Sequence, residues 1–149
     1  MKKFAFSLAR LQEFKNSLLD KEKLTLAALR AELARIEEEI LRVTQQLSAL
    51  EHTLRDTAAK GTTIFELKKL EYQIDASRRI LKEMNQRRAQ QMQKVDAQLQ
   101  VVLGVKSEVS GLEKLRDKQQ EEYDYLLKKE SEEIIGELVS GQFIRGSSQ

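Results

Sequence analysis

Few residues in this chain could do chemistry, and their spacing limits what each could do. There is one histidine and no cysteine. Thiolate nucleophiles, disulfides, cysteine metal sites and His-pair metal sites therefore all fall away. His52 has no partner histidine and reads as a solvated surface residue. Glu37, Glu38 and Glu39 form an acidic run, but successive helical residues turn by about 100°. Their carboxylates splay round the axis instead of meeting at one site. No Gly-rich phosphate loop, Ser/His/Asp set or metal-ligand spacing appears. The expectation is a protein that is not an enzyme, with no catalytic residues, no cofactor, no metal and no small-molecule substrate.

Two charged segments remain as candidate binding surfaces. From Arg78 to Lys94 there are six basic residues and one acid, Glu83. Such a face could meet phosphates, but no aromatic side chains are interleaved for base stacking. With a net charge of +2, a solvated face paired across to another helix is the stronger reading, and no nucleic-acid partner is expected. From Gln119 to Glu137 there are seven acids (Glu121, Glu122, Asp124, Glu130, Glu132, Glu133, Glu137) against Lys128 and Lys129. This segment would suit a basic collar or pore.

The elements that carry these residues follow from composition and period. The 149 residues include no proline, where average usage is about 5%. Proline costs roughly 3 kcal/mol inside a helix, so its absence points to an almost wholly helical chain. Leu26, Leu29, Leu33, Ile36, Ile40, Val43, Leu47, Leu50 and Leu54 alternate spacings of three and four, the seam of a coiled coil. Leu8, Leu11 and Leu18 extend the stripe upstream. Lys15 and Glu22 interrupt it, with a stutter between Leu18 and Leu26. Gly61 is a helix stop, and Thr62 or Thr63 can cap the next helix, with Glu66 three residues after Thr63.

A second, weaker seam runs from Leu67 through Ile74, Leu81, Met84, Val95, Val102, Val109 and Leu112 to Tyr123 and Leu126, with polar residues at Arg88, Gln91, Gln98 and Gln119. Gly104 and Gly111 should soften this helix rather than break it. The spacing therefore predicts an all-α fold: a long antiparallel two-helix coiled coil, or helical hairpin, in one domain over 1–144. Helix one is expected at about 4–58, the turn at about 59–63 and helix two at about 64–140, with 145–149 a disordered tail. Across the turn Leu47 should lie near Ile74 and Ile36 near Met84. Helix two should extend past helix one by roughly 20 residues, or about 30 Å. That overhang holds Tyr123, Tyr125, Leu126, Leu127, Ile134, Ile135, Leu138, Val139, Phe143 and Ile144. Apolar residues left uncovered at helical spacing mark a protein contact. Folding of Phe4, Phe6 and Leu8 over part of this surface, or dimerisation there, would be the plainer outcome.

No run of 18 apolar residues occurs, so no transmembrane helix is expected. The start Met1-Lys2-Lys3 is basic, but Arg10, Glu13 and Lys15 break the apolar stretch that follows. A signal-peptide core does not fit this pattern, and a cytosolic location is expected.

Four features stand out together: the start Met1-Lys2-Lys3-Phe4-Ala5-Phe6-Ser7-Leu8-Ala9-Arg10-Leu11, the break near Gly61, the segment Leu70-Glu71-Tyr72-Gln73-Ile74, and the run from Gly111-Leu112-Glu113-Lys114-Leu115 through Tyr123 to Lys129-Glu130. In these the chain resembles the flagellar export protein FliJ family over nearly its full length. The resemblance implies a soluble component of the bacterial flagellar type III protein export apparatus, similar to the central stalk of rotary ATPases. It implies three partners: the hexameric export ATPase ring, the export-gate membrane protein and export chaperones. It places the chain in the cytoplasm, peripheral at the cytoplasmic face of the cell membrane. The ring contact would use the terminal end, with Phe4, Leu8, Leu11, Tyr123, Leu126, Leu127, Ile134 and Leu138. The gate contact would use Tyr72, Ala76 and Ile80 in mid-helix. Two other readings compete: a structural or tethering coiled coil of another assembly, and a nucleic-acid-binding coiled coil.

Overall fold

A sharp reversal needs a residue that tolerates positive φ, and Gly61 supplies it at φ 86°. A computed structural model describes residues 2–147, leaving out the side chains of Phe143, Ile144, Arg145 and Ser147. Gly61 separates two α-helices, α1 (Ala9–Lys60, 52 residues) and α2 (Ile64–Ser147, 84 residues). Among the described residues there is no strand. Thr63 caps α2: its hydroxyl accepts the Glu66 N–H at 3.3 Å, and its carbonyl accepts the Leu67 N–H at 3.2 Å. Glu66 in the first turn of α2 and Lys60 in the last turn of α1 each face a favourable helix pole. The fold is all-α, with the two helices packed antiparallel.

Contacts divide the chain into two compact units, Lys21–Leu103 and Met1–Asp20 with Gly104–Gln149. In the first unit Leu26, Val43, Ile74, Val95 and Val102 are buried along the seam. Gln91 is buried with them at 7% exposure, and its Nε2 donates to the Leu29 carbonyl at 3.0 Å. Gln98 Nε2 donates to the Glu22 carbonyl at 3.0 Å and to the Glu22 carboxylate. A helical carbonyl keeps a second lone pair, so these amides bridge the helices without opening either. Among the described residues, no buried side-chain nitrogen or oxygen lacks a hydrogen-bond partner. Arg78–Glu51 (3.1 Å) and Arg88–Glu37 (3.4 Å) flank the seam as exposed ion pairs, each of small energetic weight.

In the second unit Phe6, Val105 and Val109 are buried, and Lys15, an interruption of the stripe, pairs with Glu108. Here α1 begins at Ala9, not at residue 4 as the spacing suggested. Residues 2–6 are not helical, and the Ala9 N–H donates to the Phe6 carbonyl at 3.1 Å. The cause is tertiary. Phe4 packs on Tyr123 with ring centroids 5.6 Å apart and planes tilted 55°, and the Tyr123 hydroxyl donates to the Lys2 carbonyl. Lys2 and Lys3 would also be unfavourable in a helix's first turn.

At its other ends the helical structure runs longer than the spacing suggested. α1 continues to Lys60, and α2 passes Gly136 and Gly141 to Ser147. An isolated glycine costs about 1 kcal/mol, too little to end a helix that still gains a bond with each added residue. Of the stretch expected to be disordered, Ser148 and Gln149 lie outside the described residues.

Neither seam is deep. No side chain among the described residues is sealed completely from solvent, and the accessible surface is 11794 Å². A compact monomer of this mass would expose about 7,800 Å².

Candidate protein-binding surfaces

The terminal candidates divide into covered and open groups. Phe4, Leu8 and Tyr123 are half-buried, and Leu11 is exposed. Phe4 and Tyr123 are used on each other, so the N-terminal segment does fold over part of the apolar surface. Leu126, Leu127, Ile134 and Leu138 are all open, with Leu138 63% exposed. Ile135 and Val139 stand beside them, equally open. The side chains of Phe143 and Ile144, assigned to the same surface from sequence, lie outside the described residues.

Every residue from 131 to 140 is exposed. The helix is nevertheless patterned there: Tyr123, Leu127, Ile134 and Leu138 are spaced four, seven and four apart, a single stripe. The stripe continues the α2 seam past the point where α1 can cover it. A shallow cleft of about 320 Å³ lies between Ile134, Glu137, Leu138, Gly141 and Gln142. Asp124, Glu130 and Glu137 flank the stripe at helical spacing and give the apolar face a negative border.

The mid-helix candidates lie in the other unit. Tyr72 is 69% exposed, Ile80 is exposed and Ala76 is half-buried. Spaced four apart, they share one face of α2. Tyr72 and Ala76 line a groove of about 470 Å³ with Gln73 and Ser77 of α2 and Gln46, Ala49, Leu50 and Thr53 of α1. Ile80 is not among its lining residues. The α1 wall was missed from sequence, although pairing Leu47 with Ile74 already carries residues 46–53 to this place.

The other chemical candidates are dispersed. His52 is exposed. Glu37 bonds Arg88 of α2, whereas Glu39 bonds Arg42 of its own helix through Nε at 2.9 Å and through Nη2. The Arg42 hydrogen bonds hold the Glu39 carboxyl below the usual carboxylate range. Among the described residues no group of three or more His, Cys, Asp or Glu could hold a metal ion. In the basic segment, Arg78 and Arg88 are engaged by Glu51 and Glu37.

Two patterned apolar surfaces thus stand open on an all-helical pair, and comparison with known proteins gives the family. A family model described as the flagellar FliJ protein matches residues 4–148. The chain belongs to the FliJ family. Comparison with curated proteins and with solved structures finds no match. FliJ-family membership makes the chain a flagellar export-related protein. Among the described residues, no helix is long and apolar enough to cross a membrane.

Proposed function

We propose that this FliJ-family chain works by binding, as a coiled-coil component of the flagellar type III export apparatus. Its terminal surface engages the hexameric export ATPase ring, and its mid-helix groove engages the export-gate membrane protein. It also escorts export chaperones and acts in the cytoplasm, at the cytoplasmic face of the membrane. The observation that carries this reading is the open α2 stripe of Leu127, Ile134 and Leu138 with its acidic border. A half-seam of this kind buries its apolar face only against another protein, and the border selects a partner with basic walls.

The test is co-purification with the export ATPase. Ile134→Asp with Leu138→Asp alters two exposed positions, so helical circular dichroism should be unchanged. Retention of the ATPase should fall at least tenfold, in line with an interface whose energy sits in a few apolar anchors. Undiminished retention would overturn the terminal contact.

A further inference from the structure

The turn carries a feature that neither proposed contact uses. Ile64 and Phe65, the first residues of α2, are 71% and 75% exposed. Local structure does not require them, because Gly61 makes the turn and Thr63 makes the cap. Lys68 stands four residues after Ile64 and three after Phe65, and Lys69 four after Phe65. Both lysines therefore share the side of the apolar pair, about 5.4 Å further along the helix. From Arg55 to Lys69 there are four bases, Arg55, Lys60, Lys68 and Lys69, against Asp56 and Glu66. Asp56 is engaged by Lys60 Nζ at 3.2 Å.

We propose that this tip is a shallow wedge for an anionic lipid bilayer. Ile64 and Phe65 enter the boundary between headgroups and acyl chains. Lys68 and Lys69, one turn behind, extend their ammonium groups to the phosphates. Chemistry and size favour lipid over a protein partner. The tip offers two projecting side chains, far less than the roughly 800 Å² per partner of a stable protein interface. Shallow insertion needs no matching surface, and the excess of basic charge complements anionic headgroups. The wedge needs neither the ATPase nor the gate, so it stands or falls separately from the proposed function.

The full chain should be tested with vesicles alone. Because the protein contains no tryptophan, Phe65→Trp places a single reporter at the tip. Its emission should shift to the blue on mixing with vesicles of phosphatidylethanolamine and phosphatidylglycerol, and stay unchanged with phosphatidylcholine. Unsubstituted protein should co-sediment with the anionic vesicles, less so at high salt. Ile64→Asp with Phe65→Asp, and separately Lys68→Glu with Lys69→Glu, should each weaken binding at least about tenfold. All four positions are exposed, and circular dichroism checks that each variant is folded. Absent sedimentation of the unsubstituted chain, equal binding to phosphatidylcholine, or undiminished binding of the aspartate variant would each overturn the wedge.

Discussion

Single side chains set both the alignment and the local charge of this protein. Gln91 and Gln98 occupy seam positions where leucine would bury more apolar surface. Each instead donates an amide N–H to a backbone carbonyl of α1. Gln98 also reaches the Glu22 carboxylate, a partner that a shifted alignment would remove, so it favours this register over its neighbours at some cost in stability. The Glu39–Arg42 pair works within one helix. Because the folded carboxyl is held below its ordinary range, the bonded, ionised form is the favoured one. Its contribution is present above the ordinary carboxylate range and is lost as pH falls through the lowered folded value. Followed by NMR, Glu39 should titrate below the ordinary carboxylate range, and Arg42→Ala should remove this displacement. Added salt should narrow it, since both groups are exposed.

At the scale of elements, the glycines show how differently one residue type can act. At Gly104 and Gly111 an added Cβ would meet nothing within 4 Å. Both lie inside α2, so replacement by alanine should raise stability by about 1 kcal/mol each through helix propensity alone. Gly61→Ala should lower it by about 1–2 kcal/mol, because φ of 86° strains any residue with a Cβ. Urea denaturation of the three variants checks both signs. The two helices and their turn were legible because a long run of three-and-four spacing, a missing proline and one glycine are local signals. The start of α1 at Ala9 was not legible. It depends on Phe4 meeting Tyr123, residues far apart in sequence, and no periodicity within 2–8 records that contact. The open stripe from Leu126 to Leu138 was readable from the unequal helix lengths. The groove at Tyr72 was only half readable, since its α1 wall joins the seam residue Leu50 to Gln46, Ala49 and Thr53, polar and small residues with no signature of their own.

For the molecule as a whole, the exposed area has a thermodynamic consequence. Set against the surface of an unfolded chain of this mass, 11794 Å² means that only a little over half is removed from water on folding, where globular chains of this length remove about 68–70%. Heat capacity on unfolding comes chiefly from newly hydrated apolar area. Calorimetry should therefore give a value below the roughly 12–15 cal/mol/K per residue of globular domains. The curve of free energy against temperature would be correspondingly flat, with little loss of order on chilling and a broad melting transition on warming.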